Sequence, residues 1–446
     1  MLIQPDHSCA EDTLYPSHLE SLQAKLASHL ETEQFDTLLI ASGKTHYYFL
    51  DDHCYPFKTN PHFAYWVPFL EGLPECWLSL KTGEKPQLLI YSPDDFWHMT
   101  PSQPNDSWCQ YFEIVLYSKL DEVPKLLKRT GRVAIIAEAA YEFLADTHEH
   151  NPKGLLDRLH FDRARKTPWE QFCLRKANQI AVKGHRSTVE GFEQKLSEFA
   201  LHQNYLVAVN QQELSLPYNN IIALNEHTAV LHYQHKATDS AEQYRSLLVD
   251  AGATYAGYAA DITRTVAQGN PLFSALLAGV DSFQQVILDQ VKPGVSFIEL
   301  HRLMHQQLFL LLKSVGIIKT ELAAESPEAL SISQTFCPHG LGHLLGLQVH
   351  DVGGWQQNAQ GVIAPPPAPF NFLRLTRVLE PGYVLTIEPG LYFIPSLLAQ
   401  LKNSSLSQNI DWVLVDSLTP WGGIRVEDNI CVTESGHENY TRDAFR

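Results

Sequence analysis

Residues 246–265, SLLVDAGATYAGYAADITRT, consist of two apolar strand-like runs joined by a reversal. Gly252 and Gly257 flank that reversal, so the runs pair antiparallel about a centre at 255–256 and set Asp250 opposite Asp261. Directly opposed side chains have Cβ atoms about 4.5–5.5 Å apart, and two like charges there are destabilising unless a cation neutralises them. In an arbitrary pair of aspartates, one caps a turn and the other faces solvent more often than not. Here Leu247, Leu248, Val249 and Ile262 predict carboxylates that are at least partly buried, which turns the reading toward a metal.

Two glutamates stand in comparable settings. Glu388 lies in VLTIEPGLYF and Glu427 in GIRVEDNICV, apolar runs where glutamate is rarely buried unless paired or ligating. Arg425 precedes Glu427 by two residues, so strand alternation sets both on one face, where a guanidinium can meet a substrate carboxylate bidentately. Taken singly, each glutamate reads equally well as an edge-strand residue or a salt-bridge partner of Arg425. PHGLGHLLGLQVHD (338–351) adds His339, His343 and His350, and AVLHYQH adds His232 and His235. Neutral imidazole ligates first-row metals and exchanges protons near pH 7, whereas His227 and His235 read as loop residues. One histidine with four carboxylates favours Mn²⁺, Co²⁺ or Zn²⁺ over copper, and four anionic ligands point to two divalent ions.

A chain of 446 residues has room for two or three domains, and 44% hydrophobic with 19% charged residues is a globular composition. Thirty-three basic residues against 50 acids give a formal charge of −17 without a basic block, which argues against nucleic acid as a partner. Seven scattered cysteines without CxxC spacing argue against a disulfide framework or zinc knuckle, and for a reducing compartment. MLIQPDHSCAEDTLYP lacks the basic and apolar regions of a signal peptide, and the longest apolar stretch, LFLLL at 308–312, is closed by Lys313. The expected location is therefore cytoplasmic, with no membrane partner. GxGxxG, GxxxxGK[ST] and GxSxG are all absent.

The first 150 residues read as an α/β domain: leucines 19, 22, 26 and 30 at helical spacing, then strands FDTLLIAS and GRVAIIAE, with helical KLDEVPKLLKR and AAYEFLADT around the second. His148 and His150 read as a solvated loop and 151–166 as a linker. Thr167, Pro168 and Glu170 then open a helix. Strands are expected at NIIALN, TAVLHY, SLLVDAGA, YAADITRT, LGLQVHD, YVLTIEPGLYF and GIRVEDNICV, a long helix around 297–315, and an ordered loop at NAQGVIAPPPAPFNF.

The order Asp250, Asp261, His343, Glu388, Glu427, framed by GHLLGLQVHD, IEPG and GIRVED, resembles the pita-bread metallopeptidases: methionine aminopeptidase, aminopeptidase P and prolidase. The resemblance covers 160–446. FLDDHCYPFKTNPHFAYWVPF (49–69), DFWHMTP (95–101) and HDVGG followed by a proline-rich loop are similar to the bacterial prolidase branch, which includes organophosphorus acid anhydrolase. It implies an α/β chain with an N-terminal α/β domain over 1–155, serving dimerisation and active-site capping. A pita-bread catalytic domain over 160–446 would follow, its curved antiparallel sheet holding two ions, Mn²⁺ foremost. The five residues above would be the ligands, and His232, His339, His350 and Arg425 would handle substrate.

By the same resemblance the substrates are Xaa-Pro dipeptides, attacked by a metal-bridged hydroxide with Glu388 moving the proton. His350 would stabilise the oxyanion, His232 would lie near the carbonyl, and His339 and Arg425 would hold the substrate carboxylate. Tyr218, in LPYNN, matches a pocket tyrosine of the branch. Asp52 would reach the dipeptide ammonium in the other subunit of a homodimer. Phe297 replaces a tyrosine of the anhydrolase-like members, which bears on pocket shape and on any phosphotriester side activity. Aminopeptidase P action on longer peptides and a metal-free binding protein of the same fold are the alternatives.

Overall fold

The computed structural model describes residues 11–446 except 71, 140 and 142–147. The helix expected over AAYEFLADT and the reading of the first ten residues as free of a leader lie outside the described residues. The chain divides into two compact units: one runs through Asp162 and takes in Thr167–Trp169 and Asn358–Gly361, and the other comprises Arg163–Lys166, Glu170–Gln357 and Val362–Arg446.

In the first unit, helix Glu11–Glu33 buries Leu19, Leu22, Leu26 and Leu30, the helical stripe read from the sequence. Strands β1 (Thr37–Ala41), β2 (Trp77–Leu80), β3 (Gln87–Tyr91), β4 (Glu113–Tyr117), β5 (Val133–Ile136) and β6 (His148–His150) form one mixed sheet in the order β4-β3-β2-β1-β5-β6. His148 and His150 thus belong to an edge strand and not to a loop. Main-chain pairing to β5 requires no apolar pattern, and His148 accepts a hydrogen bond from Arg129 at 2.7 Å. Residues 151–166 are not a linker either, since Lys153–Arg163 is helical with Leu155 fully buried.

The second unit is built on β7 (Ile221–Leu224), β8 (Ser246–Asp250), β9 (Thr254–Tyr255), β10 (Tyr258–Ala259), β11 (Thr263–Ala267), β12 (Val384–Ile387), β13 (Gly390–Tyr392), β14 (Gly423–Arg425), β15 (Asp428–Val432) and β16 (His437–Asn439). Every strand pair is antiparallel, in the orders β11-β8-β7, β12-β15-β16 and β13-β14, with β9-β10 at the hairpin tip. Leu276, Val280 and Ile287 of helix Pro271–Leu288 and Met304, Leu308 and Leu312 of helix Phe297–Ser314 pack with Leu385, Ile387 and Ile430 of the sheet into the main core. Asn270 caps the first helix by accepting from the Leu272 and Phe273 amides, with Pro271 in its first turn. That helix is long and apolar enough to cross a bilayer, yet its apolar face lies in this core. Phe297 is fully buried in the same core.

The hairpin register differs from the expectation by two residues. Ala256 (φ 49°) and Gly257 (φ 78°) form the two-residue turn with Tyr255 opposite Tyr258, so Asp250 faces Thr263 and lies diagonal to Asp261 on the same face. Diagonal neighbours stand about 7–8 Å apart, which leaves room between the carboxylates for something else. At Gly252 a Cβ would meet the Ala260 carbonyl at 2.0 Å, so only glycine lets the strands approach there.

TAVLHY and LGLQVHD are not strands. Residues Asn225–Ala229 form a 3₁₀ turn, and 345–351 fold around Asp351, whose amide donates to Leu344 O at 2.9 Å. The buried Asp351 carboxylate accepts from Arg163 at 2.6 Å and Lys166 at 2.8 Å, which holds its carboxyl below the usual range against the opposing effect of burial. Removing it strands two buried cations, so Asp351→Asn should destabilise this unit by about 3–5 kcal/mol in a denaturant melt at pH 7. A carboxyl held below its ordinary 3.8 contributes above that pH and loses its contribution below it. The difference between wild type and variant should therefore narrow as the pH is lowered past that value.

Candidate metal centre

The four acids sit where paired strands break. Asp250 ends β8, Asp261 lies between β10 and β11, Glu388 between β12 and β13, and Glu427 between β14 and β15. Interrupting the ladder turns these side chains inward without a one-residue slip elsewhere. His343 is pinned to β12 by its amide, which donates to Thr386 Oγ1 at 3.1 Å, and at Gly342 a Cβ would meet the Thr386 carbonyl at 2.0 Å.

Ligand atoms of Asp261, His343 and Glu427 all lie within 4.8 Å of one another. His343 Nε2 stands 3.3 Å from Asp261 Oδ2 and 3.7 Å from Glu388 Oε1. Its Nδ1 donates to Leu344 O at 3.0 Å, so Nε2 points at the acids. Burial lowers the His343 pKa, but the Asp261 hydrogen bond and the Glu388 charge raise it above its ordinary value, and a deprotonated ring would turn the Nε2 lone pair to a metal there. Asp250 receives Arg425 Nη2 on Oδ2 and Tyr218 OH on Oδ1 at 2.8 Å. Glu427 Oε2 accepts from Thr263 Oγ1 at 2.7 Å.

Burial, reinforced by the neighbouring carboxylates, raises Glu427 well above its ordinary range and Glu388 to about 7. Burial likewise raises Asp250, with Arg425 opposing; Asp261 is also pushed up by burial but is pulled below its ordinary value by the hydrogen bond to His343. Four acids against one guanidinium and one imidazole leave a negative excess that a divalent cation would balance. Four oxygen donors with one nitrogen suit hard to borderline ions. The residues fit the metals their sequence pattern implied.

The residues expected to handle substrate stand in different settings. His350 stands edge-on to His343, ring centres 4.4 Å apart at 89°, and desolvation with the charge of His343 lowers it to about 4. His232 is exposed on its loop, near enough for its charge to act on His339 and His350. Arg425 and His339 are already engaged: Arg425 donates to Asp250, to Thr263 Oγ1 at 3.0 Å and to Tyr392 OH at 2.9 Å. His339 donates from Nδ1 to Gly340 O at 2.8 Å and accepts Tyr392 OH on Nε2 at 2.9 Å. Its pKa is lowered to about 4, chiefly by burial and then by Arg425. Tyr218 donates to the Asp250 carboxylate, and Asp52 lies on an exposed loop of the first unit.

Three members escaped sequence reasoning. Tyr392 links His339 to Arg425, and Thr263 links Arg425 to Glu427. Asn429 grips the Asp261 backbone by accepting its amide at 2.9 Å and donating to its carbonyl, and is itself held by Thr441 at 2.9 Å. Thr441 in turn donates to Asn178 at 2.7 Å. Alternation from Asp261 to Thr263 and from Glu427 to Asn429 was the available signal.

Residues 173–434 match the model of metallopeptidase family M24, and residues 13–161 that of the Xaa-Pro dipeptidase N-terminal domain. The chain belongs to metallopeptidase family M24. It is 44% identical over 438 residues to the Xaa-Pro dipeptidase of Pseudoalteromonas atlantica (strain T6c / ATCC BAA-1087), covering 96% of this chain and 98% of that protein. The Xaa-Pro dipeptidase of Cronobacter sakazakii (strain ATCC BAA-894) is 43% identical over 436 residues, 97% and 98% of the two chains. Among solved structures, proline aminopeptidase P II from Yersinia pestis superposes with a TM-score of 0.70 at 24% identity over 97% of this chain and 96% of that one. The α/β, pita-bread fold expected from the sequence is the one observed.

Divalent ions should raise the melting temperature, by about 2.7 kcal/mol of stabilisation at a hundredfold excess over Kd. Asp261→Asn should lose that rise. Asn429→Ala, which frees the Asp261 backbone, should weaken metal binding in calorimetry about 10–100-fold.

Proposed function

We propose that this protein is a metal-dependent dipeptidase that hydrolyses Xaa-Pro dipeptides. The observation that carries the reading is the convergence of His343 with four carboxylates, three of them buried, in a chain whose relatives named Xaa-Pro dipeptidase match it over nearly its whole length. Asp250, Asp261, His343, Glu388 and Glu427 would hold two divalent ions, Mn²⁺ foremost. Bound there, the ions supply Lewis-acid activation of water and of the scissile carbonyl.

The protein's own side chains do the rest. Glu388, more exposed than Asp250 or Asp261 (18% of its side chain against 12% and 8%), takes the proton of the attacking water and delivers it to the proline nitrogen. His350 donates to the oxygen that becomes negative, and His232 approaches the same carbonyl from its loop. The row Arg425–Tyr392–His339 receives the substrate carboxylate, with Arg425 as the charged member. A carboxylate anchored there closes the site to longer peptides. The first unit would form a cytoplasmic homodimer's interface and bring Asp52 to the dipeptide ammonium of the partner subunit.

Purified protein loaded with Mn²⁺ should cleave Gly-Pro, lose that activity to a chelator and regain it with metal. Preference for Gly-Pro-Ala over Gly-Pro would transfer the reading to aminopeptidase P, the activity named for the solved structures of like fold. No bound metal and no turnover would leave a binding protein. Phosphotriesters belong in the same assay, as the side activity of this branch.

Arg425→Lys should raise KM for Gly-Pro, because an ammonium lacks the planar fork that meets a carboxylate. The loss on an uncharged proline amide should be smaller. Equal losses would confine Arg425 to supporting Asp250.

A further inference from the structure

We infer that Glu198 is a positioning residue, whose carboxylate fixes the loop that presents His232 to the metal centre. Glu198 opens helix Glu198–Val209 and is 1% exposed. Its Oε1 accepts the Leu224 amide at 2.8 Å and His227 Nδ1 at 2.9 Å. Its Oε2 accepts Tyr233 OH at 2.6 Å and the Ala237 amide at 2.8 Å. Two of the donors stand at the ends of segment 224–237 and two within it, so one buried carboxylate closes the whole loop.

The donors bracket His232. Tyr233 follows it directly and stacks on His227, ring centres 4.7 Å apart at 19°. Residues 230 and 232, at the tip, are exposed. Beside Glu198 the loop borders a cavity of about 300 Å³, lined by His227, Ala237, Asp239 and Arg245 among others, so close packing does not hold it on that side. Hydrogen bonds must do so, and four of them converge on Glu198. A glutamate serving only the start of its helix would need the helix's own amides; these four donors belong to another segment. Charge-assisted bonds of this kind set a loop within the fraction of an ångström that catalysis requires.

The inference rests on the dipeptidase reading for the part that concerns turnover, so its test has one arm that does not depend on activity. In Glu198→Gln the amide group meets the Tyr233 hydroxyl and Ala237 amide in place of a carboxylate oxygen. Hydrogen exchange of the Ala237 amide in the metal-loaded protein should accelerate at least about tenfold, with metal affinity unchanged in calorimetry. On Gly-Pro, kcat should fall by up to about 100-fold, the scale of a 1 Å misplacement near a reacting group. In a His232→Ala background the same substitution should change kcat less than threefold, because the residue it positions is gone. Glu198→Asp, a shorter carboxylate, should recover part of the loss.

Unchanged exchange at Ala237 would overturn the inference. So would equal losses from Glu198→Gln with and without His232, or a loss that follows metal affinity. Wild-type protein that binds metal but never cleaves Gly-Pro would refute the dipeptidase reading and the catalytic half of this inference, while the exchange arm would still decide whether Glu198 holds the loop.

Discussion

Repulsion among Asp250, Asp261, Glu388 and Glu427 is the interaction around which the second unit is organised. Two unit charges 4 Å apart in a protein environment interact by about 4 kcal/mol, and here four carboxylates share one enclosed space. The fold opposes that repulsion with a small number of committed groups. Arg425 faces Asp250, His343 faces Asp261 and Glu388, and Thr263 and Tyr218 donate to the acids they adjoin. The breaks in the ladders, the glycine at 342 and the clamp of Asn429 on the Asp261 backbone follow from the need to bring those acids close and keep them there.

The same requirement explains why acids so unfavourable in isolation occupy the middle of a well-packed unit. Leucines and isoleucines on the other faces of the strands form the core, with two long helices against them. The acid face alone would not fold; the apolar face stabilises it. Replacement of the acids by apolar residues would be expected to relieve repulsion and remove the chemistry together.

Much of this was legible in the sequence. The four acids were singled out by their apolar flanks, His343 among several histidines by the resemblance, and the leucine stripe of Glu11–Glu33 by its spacing; the structure brings Asp261, His343 and Glu427 together, with Glu388 beside His343. What escaped was of three physical kinds. The hairpin register turned on Ala256 adopting a left-handed conformation beside Gly257, and the glycines at 252 and 257 alone do not reveal which residue centres the turn. TAVLHY and LGLQVHD have strand-like composition, but distant groups capture their polar side chains: Glu198 takes the Tyr233 hydroxyl, and Arg163 and Lys166 take Asp351. Arg425 was assigned to substrate by its chemistry and His339 by the resemblance; the tie between them through Tyr392, far away in sequence from both, was not legible.

The Arg425–Asp250 pair joins residues 175 positions apart. At synthesis rates of about 5–20 residues per second, the carboxylate leaves the ribosome roughly 10–35 s before the guanidinium that will face it. Asp261 waits nearly as long for Asn429, 168 positions downstream, and longer for Thr441 beyond it. During that interval the Ser246–Ala267 hairpin can form its local pairing while its aspartates keep to water. The acidic cavity can close only after the β14–β15 segment has been translated. Assembly of the centre is thus ordered in time by the position of its positive and clamping groups downstream of its first two acids, and a pause in translation between them would prolong the stage at which the nascent chain offers aspartates without a counter-charge.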